Sequence, residues 1–130
     1  MLSYAGLWDV HWRIGGTAGT QLQYPTCFKN PSVLIANLHT NPCFASFLLC
    51  HVTETASVYM ENNWGWVADH ELDYAANHGQ INIWNGRGIL VESTKPFWLV
   101  GSSFEHSQLY NYGIHNAENV YMSHIQSETA

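Results

Sequence analysis

The feature that most constrains this 130-residue chain is a unit that returns near its end. Residues 96–105 read PFWLVGSSFE and residues 118–128 read ENVYMSHIQSE; Trp98 and Val120 hold matching places in the two, as do Glu105 and Glu128. A period of roughly 22–23 residues is too short for a propeller blade. Built of strand formers and polar turn residues, it is what one coil of a parallel β-helix needs. Equivalent positions of stacked coils lie about 4.8 Å apart, which makes Glu105 and Glu128 near neighbours. Two carboxylates that close cannot both ionise cheaply, so a protonated acid persists near neutral pH, as a glycosidase requires. The competing reading has both glutamates facing solvent on a long face, and spacing alone leans that way.

Helical periodicity is interrupted in nearly every window by Gly, Asn and β-branched or aromatic residues. Strand runs are frequent instead, at residues 8–14, 46–52, 57–60, 64–68, 80–84, 89–92, 97–100, 108–112 and 119–125. Turn signals separate them: Gly15-Gly16, Asn30-Pro31, Asn41-Pro42, Asn62-Asn63, Asn85-Gly86, Lys95-Pro96 and Asn116-Ala117. A helical turn fits only residues 68–76. Asn85-Gly86 between two strand runs would ordinarily announce an antiparallel hairpin, and with it a sandwich or barrel; the repeat argues for the β-helix.

Arg13, Lys29, Arg87 and Lys95 stand against ten acidic residues, a net charge of −6. With no basic run to meet a phosphate backbone, nucleic acid is a poor partner. Only 11% of residues are charged and 14% are aromatic, so the polar surface comes from Asn, Ser, Thr, Gln and His, which suits neutral, hydroxyl-rich ligands. No apolar run is long enough to span a bilayer, so no membrane partner is expected. Cys27, Cys43 and Cys50 form no zinc set. Cys27 and Cys43 flank a Pro/Asn-rich loop and are expected to pair across residues 24–44, with Cys50 buried in the apolar run that follows.

Longer motifs carry a resemblance. They are GLWDVHWRIGG (6–16), ENNWGWVADHELD (61–73), NGRGILVES (85–93), SFEHSQLYNY (103–112) and IQSET (125–129). In this order they resemble the exo-β-1,3-glucanases of glycoside hydrolase family 55, in the pectate-lyase-like superfamily, whose chain forms two right-handed parallel β-helices. The resemblance implies an all-β chain, residues 1–130 being a fragment of the second β-helix. It implies an inverting release of glucose from β-1,3-glucan with no cofactor and no metal, Glu128 serving as general acid and Glu105 helping to hold the water. An inverting pair stands roughly 6.5–9.5 Å apart, wider than one β-spacing, so either the side chains diverge or a wider polar network holds the water. The implied partners are the β-1,3-glucan polysaccharide and the missing N-terminal β-helix. A secreted, extracellular parent is implied too, in keeping with a Cys27–Cys43 disulfide and with the absence of a signal peptide from this start.

Phe104 and Ser127 depart mildly from the family pattern, and the usual Pro and aromatic residues do not follow Glu128-Thr129. Without the other β-helix, weak or no hydrolysis is expected of the chain alone. Trp64 and Trp98 are candidate sugar-stacking platforms, with Trp66 and Trp84 assigned to the core. Arg87 is expected to pair with Glu92 or Glu61. The acidic cluster 69–73 is expected to be a solvated turn or to fix the loop after Trp66, and the scattered histidines to be structural rather than metal ligands. Three readings stand: a family 55 glucanase, a non-catalytic β-glucan-binding or structural remnant, and a pectate-lyase-like enzyme. The third is weakest, because it needs a cationic base and calcium carboxylates.

Overall fold

The computed structural model describes residues 4–29, 43–76 and 79–130. Its elements are β1 (Tyr4–Trp8), β2 (His11–Ile14), α1 (Tyr24–Cys27), β3 (Phe44–Val52), β4 (Ser57–Glu61), β5 (Trp64–Val67), β6 (Trp84–Val91), β7 (Phe97–Val100), β8 (Ser103–Glu105), β9 (Tyr110–Ile114) and β10 (Val120–Ser123). They form three sheets of order β1-β4-β7-β10, β2-β5-β8 and β3-β6-β9, and all pairs of these strands are parallel. The chain thus visits the three sheets in rotation and returns one strand further on. Such stacking of parallel sheets is consistent with a β-helix.

The return interval shortens along the chain. Tyr4 lies opposite Ser57, Val58 opposite Phe97, and Phe97 opposite Val120, each return taking less sequence than the one before. Trp98 therefore faces Tyr121 rather than Val120, and this is the same step that leads from Glu105 to Glu128. The extra length of the earlier turns falls mainly between the second and third sheets. Of the loop expected over residues 24–44, positions 30–42 lie outside the described residues, and with them the Asn30-Pro31 and Asn41-Pro42 signals.

Corners are set by left-handed residues and buried polar ladders. Asp9 (φ 56°), Asn62 (55°), Gly101 (59°) and His124 (51°) each follow a strand of the first sheet, which breaks the single strand expected over residues 8–14 into β1 and β2. Short polar residues and Gly tolerate this region best. On the middle two turns the next residue points inward: Asn63 accepts from the Val10 N–H at 3.1 Å and donates to the Leu7 carbonyl, while Ser102 accepts from the Asn63 N–H at 3.0 Å. At another corner, buried Asn85 accepts from the Ser46 hydroxyl and donates to Ser107 Oγ at 2.9 Å and to the Arg87 carbonyl at 2.7 Å. Buried polar groups must be satisfied, and these satisfy one another between turns.

That ladder explains the main local corrections. Asn85-Gly86 makes no hairpin, since Asn85 is held inward and both residues lie within β6. A Cβ on Gly86 would come 2.8 Å from the Phe47 carbonyl oxygen, and one on Gly88 2.3 Å from that of Asn111, so glycine there permits close strands. No helix forms over residues 68–76; among the described residues the one helical turn is α1, with Pro25 in its first positions. The strand expected at 80–84 reduces to single antiparallel bridges, Phe28 with Ile81 and His70 with Gln80, ahead of β6. Arg87 pairs with neither glutamate: its guanidinium lies 4.1 Å from the Phe47 ring centroid and 5.9 Å from that of Tyr110. Glu92 is held instead by His51 (2.8 Å) and His115 (3.0 Å), and Glu61 by the Tyr59 hydroxyl (3.0 Å).

Inside the winding, Met60, Ile89, Val91, Phe97, Leu99 and Phe104 are fully buried. Each large side chain removed from water contributes roughly 1.5–3 kcal/mol. A second cluster under the long connections gathers Trp66, Val67, Ala68, Ile81 and Ile83 around the Cys27–Cys43 disulfide, which forms as expected with a Cα–Cα distance of 5.8 Å. Cys50 is only partly buried, but burial still pushes its thiol up to about 11.

Candidate active site

The outward positions of the second sheet build the site. In register across its strands run His11, Trp64 and Ser103, with Ser103 bridged to Gln126, and beside them Arg13, Trp66 and Glu105. A cleft of about 440 Å³ is lined by His11, Trp64, Ser103, Glu105, Gln126 and Glu128, with Asn62, Asn63 and Gly101 at its corner. Both sequence-predicted glutamates therefore face the same cleft. Among its lining residues there is no Lys or Arg.

Glu105 is 6% exposed, and its carboxylate accepts from the Trp64 indole N–H at 3.1 Å and from the Ser103 hydroxyl. Two donors fix its orientation. Trp64 is itself held by stacking on Trp66 (5.1 Å between centroids, 25° between planes) and by an edge contact with His11 at 5.4 Å. Glu128 is exposed and more loosely held: Gln126 Nε2 donates to Oε1 at 3.1 Å, and His106 Nε2 lies 3.9 Å from Oε2. Its main chain is anchored by Asn111 Nδ2 (2.7 Å) and the His106 N–H (3.1 Å), both donating to the Glu128 carbonyl.

Sequence reasoning does not single out His106 or Tyr112. The His106 Nδ1 lies 2.6 Å from the Thr129 carbonyl oxygen, which can only accept, so Nδ1 carries the hydrogen and Nε2 faces Glu128. The Tyr112 hydroxyl accepts from the Phe104 N–H at 3.0 Å and donates to the Gln126 carbonyl at 2.6 Å, tying the two turns that carry the glutamates. Burial, joined by the charge of Glu105, pushes this hydroxyl up to about 12 against the Phe104 hydrogen bond. Both residues sit in the 103–112 motif; the available signal for Tyr112 is its even spacing from Tyr110 on a strand.

Trp98 is not in the cleft. It lies on the outer face of the first sheet, next to Tyr59. Trp66 is buried as expected, whereas Trp84 is only half-buried. A further cavity of about 310 Å³ lies beyond His106 and includes Trp84, Asn82, Gln108 and Lys29. Of the acidic cluster, Asp69 and Asp73 stay open to solvent, whereas Glu71 is 1% exposed and accepts from the N–H groups of Tyr24 (2.8 Å), Leu72 and Asp73 (both 3.1 Å), fixing the loop after Trp66 and tying it to α1. Asp73 pairs with Arg13. Among the described residues no group of three His, Cys, Asp or Glu could hold a metal ion, and no helix is long and apolar enough to cross a membrane.

These features define an all-β chain of stacked parallel sheets bearing a two-carboxylate cleft. No family model matches it. It is 58% identical over 127 residues to the "Probable glucan endo-1,3-beta-glucosidase" of Arthroderma benhamiae, a match covering 95% of this chain and 14% of that protein. It is 43% identical to the "Glucan 1,3-beta-glucosidase" of Cochliobolus carbonum, over 96% of this chain and 15% of the relative. The "Non-secreted LysM effector LysM15" of Penicillium expansum is 47% identical over 96% of this chain and 8% of its own length. The chain thus spans less than a sixth of these relatives.

Proposed function

We propose that this chain forms one wall of a glycoside hydrolase site acting on β-1,3-glucan by inversion, with Glu128 as general acid and Glu105 holding the attacking water. The observation that carries the reading is that two glutamates one turn of the winding apart line one cleft. Held by Trp64 and Ser103, Glu105 is oriented to accept from a water. Glu128, exposed and beside His106 Nε2, is free to approach a glycosidic oxygen. Trp64 supplies an aromatic wall for a sugar ring. The glucanase names of two relatives and the family 55 motifs agree with this, and a right-handed β-helix is the winding that parallel crossovers favour. The remaining substrate contacts would come from the other β-helix, and the disulfide fits an extracellular protein. A lyase acting on uronic acids is disfavoured by a cleft without Lys or Arg.

The small share of each relative that the chain spans, and a relative named as an effector, favour a second reading: a β-glucan-binding or structural module without hydrolysis. The two are separated by replacing the matching 127-residue span of the Arthroderma benhamiae relative with this chain and measuring release of reducing sugar from laminarin. An active chimera that loses about a thousandfold with Glu128→Gln is expected. A folded but inactive chimera, or one indifferent to Glu128→Gln, overturns the catalytic reading and leaves the binding one.

A further inference from the structure

Alternate side chains of a strand face opposite sides of the sheet, and in the first sheet the outward row is aromatic. Tyr59, Trp98 and Tyr121 stand in register on β4, β7 and β10, while their neighbours Met60, Phe97 and Leu99 fill the core. On β1 the matching position is Gly6, and the Trp8 ring folds over it: a Cβ on Gly6 would lie 2.1 Å from that ring. The result is a ladder of four rings, with Trp8 6.0 Å from Tyr59 and Tyr59 6.4 Å from Trp98 between centroids. Trp8 is 59% exposed and Tyr121 55%. Four strands make the ladder about 14 Å long, enough for a short oligosaccharide.

The geometry points to this ladder as a second binding surface, outside the cleft, for a neutral glucan chain. Three observations select that occupant. Glu61 is the one charged residue on the four strands, so nothing there would hold an anionic chain or a phosphate. Glu61 is exposed and accepts from the Tyr59 hydroxyl; a sugar hydroxyl can donate to it, whereas a packed apolar polypeptide would bury an unpaired charge. The corner residues Asn62 and Gly101 directly follow β4 and β7 and border the cleft, so a strand held on the ladder lies around one corner from Glu105. The glucan identity rests on the proposed function; the ladder does not depend on catalysis.

The test is sedimentation of the full chain with insoluble β-1,3-glucan, alongside Trp98→Ala, Tyr121→Ser and, as a control on an exposed turn away from both surfaces, Glu54→Gln, with folding checked by near-ultraviolet circular dichroism. Binding that weakens at least tenfold in both ladder variants and changes less than twofold in Glu54→Gln is expected. Tyr121→Ser reads the same surface should Trp98→Ala fail to fold. Equal binding by wild type and Tyr121→Ser overturns the proposal. So does the absence of glucan binding, or self-association of the chain that Trp98→Ala abolishes, which would make the face a contact between copies. Loss of hydrolysis in the chimera with ladder binding retained would refute the catalytic reading alone.

Discussion

The indole N–H of Trp64 donates to Glu105 across 3.1 Å, so the ring that walls the cleft also fixes the carboxylate beside it. Trp64→Phe keeps an aromatic surface over Trp66 and removes only that donor. Glu105 is nearly buried, and leaving one of its acceptor positions unmet costs about 1–3 kcal/mol. Urea unfolding of Trp64→Phe, Glu105→Gln and the double variant should show coupling of about 1 kcal/mol or more between the two sites. Simple additivity would mean the hydrogen bond does not hold Glu105 in place.

Gly65 lies between two tryptophans and opposite Phe104, which fills the space its missing side chain leaves. A Cβ there would come 2.2 Å from the Phe104 ring, itself buried and 5.9 Å from Trp12. Gly65→Ala is therefore expected to destabilise by about 1–3 kcal/mol, with Phe104→Leu in the same chain restoring part of the loss. Melting temperatures of Gly65→Ala, Phe104→Leu and the double variant check it; a Gly65→Ala protein as stable as wild type would contradict the packing.

This pair also shows what the sequence could tell. Phe104 reads as a mild departure from the family pattern, and only the register reveals that Gly65 makes room for it. The returning unit disclosed the stacking of β7 on β10 and put Glu105 and Glu128 on successive turns, because the last turn has no insertion. The earlier turns, from Tyr4 to Ser57 and from Val58 to Phe97, hid the same period under long connections. Asn85-Gly86 misled because its turn chemistry is local, while Asn85 bonds to Ser46 and Ser107, which are distant in sequence. Trp98 reads as a sugar platform without its place being legible: inward or outward on a strand follows from pleat, but which sheet carries the cleft follows from winding.

The Cys27–Cys43 bond closes a 16-residue separation, and removing such a cross-link costs about 3 kcal/mol by chain entropy. Reduction should lower the urea midpoint accordingly and loosen the cluster of Trp66, Ile81 and Ile83, seen as a red shift of tryptophan emission. Cys50 offers an internal control. With its thiol pushed up to about 11 by burial, it should react with a thiol reagent at pH 8 far more slowly than the two freed cysteines.

Glu71 makes the acid limb of stability predictable in sign. Burial raises its carboxyl, but hydrogen bonds from the Tyr24, Asp73 and Tyr74 N–H groups and the Gln23 side chain outweigh that and hold it below its ordinary 4.5. A carboxyl depressed in the folded state contributes stability that is fully present above the unfolded value and is lost as pH falls through the folded one. Wild type should therefore lose stability progressively below about pH 4.5. Glu71→Gln keeps one acceptor oxygen but no charge, so it should be less stable at pH 7 and show a flatter dependence between pH 5 and 3. Parallel acid limbs for the two proteins in urea melts would remove Glu71 as the source.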